Sequence, residues 1–132
     1  MKDQVTEVIK RLCGTTMMLN KGWCHFVYRQ THFVNIPDDN NDMIRISIPH
    51  VANSTDYAGD VLDKAVNETN REVKFIKAMV LNNGSISLSY DHRINNDEKV
   101  QETVSHMILT LFAASEYIKR KLKSHAPQTT IS

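Results

Sequence analysis

Hydrophobic positions along this chain change period several times, and each change marks an element. Val5, Val8, Ile9 and Leu12 recur at i, i+3, i+4 and i+7, one apolar stripe of a short helix. Gly14 follows where a helix C-terminus favours glycine. Thr15 to Lys21 is ambiguous, because Met17 and Leu19 either begin a strand or close over the core; Asn20-Lys21-Gly22 then reads as a turn. From Trp23 the period becomes two. Cys24, Phe26 and Tyr28 alternate with Trp23, His25 and Val27, and Arg29-Gln30-Thr31 permits a tight reversal into a strand from His32 to Ile36. Ile44, Ile46 and Ile48 alternate against Met43, Arg45 and Ser47, so one face is buried and the other wet, as in an antiparallel sheet. Pro49 is expected to end that strand.

Asn53 to Asp56 supplies candidate N-caps for a second helix, whose stripe is Ala58, Val61, Leu62, Ala65 and Val66. Val73 to Leu81 is rich in strand formers, and Asn82-Asn83-Gly84 is the strongest hairpin signal, suited to a type I′ turn. Ile86, Leu88 and Tyr90 alternate with serines. Asn95 and Glu98 have the spacing of a capping box and open a long helix to about Leu122. The reading is an α+β fold of order α-β-β-β-α-β-β-α, an antiparallel sheet packed by helices. It forms one domain over 1–124, with a disordered tail expected at 125–132.

The last helix carries more apolar surface than docking needs. Val100, Val104, Met107, Leu111, Ile118 and Leu122 share one face. Ile108, Leu109 and Phe112 add a second, so the apolar arc at mid-helix spans roughly 220°. Each such side chain is worth ~1.5–3 kcal/mol when fully buried. Either the first helix covers that face, or a second copy of the chain or a partner segment does. Ile108, Leu109 and Phe112 are therefore the candidate dimer or partner contacts.

Composition narrows the function classes. The chain has 132 residues, 41% hydrophobic and 23% charged, with a net charge of +1. Those values suit a globular domain and oppose attraction to polyanions by bulk charge. No apolar run approaches the ~18 residues of a membrane span, and the first seven residues lack the hydrophobic segment of a signal peptide. A soluble cytoplasmic protein is the expectation. Cys13 and Cys24 are read as reduced, small hydrophobic residues.

Catalytic and metal motifs do not emerge from the spacing. His25, His32, His50, His92, His106 and His125 are scattered, with no i, i+4 pair of the helical zinc type. Asp38, Asp39 and Asp42 lack the EF-hand ligand order and its glycine. Gly14, Gly22, Gly59 and Gly84 are too dispersed for a phosphate loop. Lys119, Arg120, Lys121 and Lys123 form a basic cluster, but helical angles spread them around the helix, where the dipole favours cations by ~0.3–1 kcal/mol. No catalytic, metal or cofactor residue is assigned, and nucleic acid is not expected as a partner.

Asn67-Glu68-Thr69-Asn70-Arg71-Glu72-Val73-Lys74-Phe75-Ile76-Lys77-Ala78 resembles the helix-to-strand junction of YbjN-like bacterial proteins. Met43 to Pro49 resembles the strand that precedes that helix in the same family. The resemblance covers roughly residues 23–122. It implies the fold of type III secretion chaperones, frequent dimers, and a role labelled sensory or regulatory without settled chemistry. Secretion chaperones proper are acidic dimers that wrap an extended effector segment, and this chain departs from them in its near-neutral charge. Asn67 and Asn70 match recurring asparagines, read as helix-end and turn hydrogen bonders.

The functional expectation is a non-enzymatic protein- or peptide-binding module, chaperone- or regulator-like, acting as a homodimer. Recognition would use an apolar groove or strand addition at a sheet edge. The alternatives are a small metal- or His/Asp-dependent enzyme, and a nucleic-acid-binding regulator using the C-terminal basic cluster.

Overall fold

The structure is a computed structural model that describes residues 2–14, 16–38, 42–95 and 97–125. Its elements run α1 (Lys2–Cys13), β1 (Thr16–Met18), β2 (Cys24–Tyr28), β3 (Thr31–Ile36), β4 (Met43–Asn53), α2 (Gly59–Glu72), β5 (Ile76–Val80), β6 (Ser85–Arg93) and α3 (Val100–His125). The strands form one sheet in the order β1-β2-β3-β4-β6-β5, antiparallel at every step. The α+β class is as expected. The ambiguous stretch after Gly14 contributes β1, which gives the sheet one more strand than the spacing alone indicates.

Pleating sends alternate residues to opposite faces. One face presents Cys24, Phe26, Phe33, Ile44, Ile46, Ile48, Ile86 and Leu88, all buried. Val104, Met107, Leu111, Ile118 and Leu122 of α3 cover that face, and α1 and α2 pack on either side of α3. The opposite face carries His25, Arg45, Ser47 and Lys77, and no described helix lies over it. Asn35, buried on the core face, donates through Nδ2 to the Arg45 carbonyl at 3.0 Å, which satisfies it.

Local chemistry departs from expectation at four places. Pro49 does not end β4, since the strand continues to Asn53 and its pairing with β6 shifts between Ile48 and Ala52. A bulge accommodates a residue that cannot donate to the ladder. Asn53 caps not α2 but a single tight turn, Ser54–Asp56, through Thr55 N–H at 3.1 Å; α2 starts after Ala58. The Asn-Gly hairpin is not type I′. Its loop closes through Leu81 N–H to Ser85 C=O and Gly84 N–H to Leu81 C=O, with positive φ at Gly84 alone in that loop. That is the three-residue form, a type I turn followed by a left-handed glycine. The two-residue turn with both φ positive joins β2 to β3 at Arg29 (49°) and Gln30 (64°) instead.

Asn95 and Glu98 make only half of the expected capping box, and they precede α3, which begins at Val100, rather than opening it. Glu98 Oε1 accepts from Asn95 N–H at 3.3 Å and Asn95 Oδ1 accepts from Asp97 N–H at 3.0 Å, just ahead of Val100. His125, expected in the tail, is the last residue of α3; residues 126–132 of that tail lie outside the described residues. No helix among the described residues is long and apolar enough to cross a membrane.

Candidate partner-binding edge

A sheet of this order ends in two outer strands, β1 and β5. In an antiparallel pair, every second residue of an outer strand aims its N–H and C=O away from the sheet. On β5 the centre of that outward row is Ala78, and α2 closes it. Asn70 Oδ1 accepts from the Ala78 N–H at 2.6 Å, while Asn70 Nδ2 donates to the Ala78 carbonyl at 3.0 Å. A carboxamide holds a donor beside an acceptor, so it substitutes for the peptide group of a neighbouring strand. With Lys77 on the same strand, the edge is blunted against pairing.

The β1 edge has neither device. Thr16, Met17 and Met18 pair with Phe26, His25 and Cys24 on one side only. Among the described residues, no strand or side-chain clip occupies the other side. Met17 is 61% and Met18 54% exposed, and Leu19, Trp23 and Leu12 around them are exposed as well. Opposite His25 and Cys24 respectively, Met17 and Met18 stand on different faces of the sheet. Lys21 and Gly22, at φ of 69° and 78°, make the tight turn that holds Trp23 beside Leu19, whose N–H donates to the Trp23 carbonyl at 2.7 Å. The edge therefore combines open backbone groups with apolar side chains on both faces, what an added strand requires.

The three residues proposed from the helix pattern do not form one surface. Ile108 is 2% exposed and belongs to the chain's own core. Phe112 is half-buried; Tyr28 meets its ring edge-on at 5.9 Å and the Arg29 guanidinium lies 5.5 Å from its centroid. Leu109 alone remains open, at 51%. Tyr28 and Arg29 of the β2–β3 hairpin thus cover Phe112, a contact of high sequence separation that helix periodicity cannot show. The sequence signal for β1 is faint by comparison, an uncharged Thr-Met-Met run followed by Leu19.

The histidines fall into separate small clusters. His92 Nε2 lies 2.7 Å from Glu98 Oε2, which also accepts from Thr103 Oγ1 at 3.0 Å. Tyr90 and His106 line the same open cleft of about 420 Å³. Hydrogen bonding to His92, then to Thr103 and the Asn95 amide, holds the Glu98 carboxyl below its ordinary value. A general base for neutral pH needs the opposite shift, so this carboxylate serves as a tie between β6 and the start of α3. His125 Nε2 likewise lies 3.0 Å from Glu68 Oε1, and Lys121 Nζ 3.4 Å from Glu68 Oε2, which ties the end of α3 to α2. His50 meets the Ser85 hydroxyl and His106 the Thr110 hydroxyl. His25 and His32 face each other across the β2–β3 hairpin at 2.9 Å. Among the described residues no three His, Cys, Asp or Glu side chains converge as a metal cage.

The remaining candidates sit apart. Lys121 of the basic cluster is engaged by Glu68, and both Arg120 and Lys121 lean over the Tyr117 ring at 5.9 and 5.4 Å. Asp42 pairs with Arg93 at 2.6 Å, while Asp39 lies outside the described residues. Cys24 is buried and Cys13 half-buried; burial raises both thiols, away from the reactive thiolate.

This geometry, helices on one face of an antiparallel sheet with α3 across its middle, is a secretion-chaperone-like fold. A chain of the ExsC–ExsE complex superposes with a TM-score of 0.69 at 11% identity, over 92% of this chain and 96% of that one. An uncharacterized protein from Methanothermobacter thermautotrophicus gives 0.63 at 13% identity, over 96% and 99%. A chain of the HopA1–SchA chaperone–effector complex gives 0.61 at 9% identity, over 92% and 95%. No family model matches the chain, and no curated protein matches it. At such identities the likeness is one of fold.

Proposed function

We propose that this protein is a non-enzymatic, chaperone-like binding module that holds an extended segment of a partner protein along the β1 edge. The observation that carries the reading is the contrast between a β5 edge closed by Asn70 and a β1 edge that is open, uncharged and bordered by Met17, Met18, Leu19 and Trp23. Natural sheets blunt edges they do not use, so an unblunted apolar edge marks a use. The occurrence of the same fold in a chaperone–effector complex supports a protein as the partner. In this reading the chain is a cytoplasmic relative of YbjN-like proteins and pairs with a second copy near Leu109 on α3.

The test is capture from native lysate at several salt concentrations, comparing the wild type with the double variant Met17→Lys, Met18→Lys. A partner held by the wild type and lost by the variant supports the reading. Equal capture by both, or turnover of a small molecule with no partner at any salt, contradicts it.

A further inference from the structure

The open face of the sheet carries a pair of imidazoles that the binding role does not use. We propose that His25 and His32 form a two-histidine site for a late divalent transition metal, with copper(II) preferred. The hairpin preorganises the pair. Val27 lies opposite His32 and Val34 opposite His25, which makes the two histidines diagonal neighbours on one face. The turn at Arg29–Gln30 fixes that register. His25 Nε2 and His32 Nδ1 are 2.9 Å apart, with ring centroids at 5.0 Å and planes only 25° from parallel. The two nitrogens thus face each other in a hydrogen bond that solvent reaches, since His32 is exposed and His25 half-buried.

A chelated ion would replace the hydrogen bond between the rings. Two nitrogens each ~2.0–2.1 Å from an ion lie about 2.9 Å apart at a right angle and about 3.4 Å apart at a tetrahedral one. The observed 2.9 Å is the spacing of a hydrogen bond between the rings; rotation about the side-chain torsions would turn both lone pairs from each other onto one ion, and divalent affinities peak at copper. Binding needs both rings neutral. His25 coordinates through Nε2 with its proton on Nδ1, and His32 through Nδ1 with its proton on Nε2. The hydrogen now shared between the rings moves within one imidazole, and water fills the other positions. The remaining described histidines, bonded instead to Ser85, Glu98, Thr110 and Glu68, have no second imidazole at this distance.

The probe is copper(II) sulfate titrated into the full-length protein against a competing chelator, with electron paramagnetic resonance of the bound ion. The expected result is a single bound copper(II) whose spectrum shows two equatorial imidazole nitrogens. His25→Ala and His32→Ala should each weaken binding roughly tenfold or more, as losing even an outer partner of a metal ligand does. His32→Asn keeps a hydrogen-bond acceptor near His25 yet lacks the nitrogen ligand, so it should lose the site while circular dichroism stays native. Nickel(II) and zinc(II) should bind more weakly. Unchanged copper affinity in His32→Asn, or a spectrum with fewer than two imidazole nitrogens in the wild type, overturns the proposal.

Discussion

The two ends of the sheet solve the same problem in opposite ways. Both carry exposed apolar side chains, with Phe75, Met79 and Val80 at β5 and Met17 and Met18 at β1. At β5 the backbone is occupied, because Asn70 takes both polar groups of Ala78 and Phe75 lays its ring on Tyr90 at 5.7 Å. At β1 the backbone is available. Apolar exposure alone therefore does not distinguish the two edges; the state of the outward-facing amides does.

Four variants or conditions sharpen that contrast. The largest effect is expected away from both edges, in the helix that supports them. Ile108→Ala should cost about 2–5 kcal/mol of folding stability, the usual loss for a truncated core isoleucine. Urea denaturation measures it, and a change in association state with no loss of stability would place Ile108 at an interface after all. Next comes the clip. Asn70→Ala leaves the Ala78 N–H and C=O open on β5, at a cost of about 1–3 kcal/mol to whatever extent water does not replace the bonds. It should also raise self-association, read by light scattering, because the closed edge becomes a second open one. An Asn70→Ala protein with the stability and association state of the wild type would remove the contrast.

The β1 variants come third. Met17→Lys with Met18→Lys should leave stability within about 0.5 kcal/mol, as surface changes do, while abolishing partner capture. The smallest effect is acid loosening of the β5 half alone. Glu98 is held below the ordinary carboxylate value of 4.5 first by His92, and Glu68 below it first by His125, then by Lys121. A carboxyl with a lowered folded pKa stabilises the protein above its unfolded value and loses that contribution as pH falls through the folded one. Hydrogen exchange should therefore quicken in α2, β6 and the ends of α3 below pH 4.5, with β1 and β2 following only at global unfolding. Uniform quickening would show that these two ties are not local.

Much of this architecture was legible along the chain because burial on one side imposes a period. Ile44, Ile46 and Ile48 announced a one-sided strand, and Val104, Met107 and Leu111 a docked helix face, and all six are buried together. Features set by contacts between distant segments were not. Ile108 and Phe112 look surplus on a helical wheel, yet the core and Tyr28 cover them. Asn70 reads as a helix-end residue, while its partner lies on the next strand. Turn types also escaped. Asn83-Gly84 has the residues for two positive φ angles but only Gly84 adopts one; Arg29 and Gln30 lack that composition and both do, with Arg29 stacked against Tyr28 and Phe112. The open β1 edge was the least legible, since three residues are too few to display any period.

The most direct test is hydrogen–deuterium exchange of the full chain alone and with its captured partner, followed at Thr16–Met18 and Ile76–Val80. Strand addition at the open edge predicts new protection of the Thr16–Met18 amides on binding, with Ile76–Val80 unchanged. Protection confined to Ile76–Val80 or to α3 around Leu109, with Thr16–Met18 still exchanging freely, would contradict it.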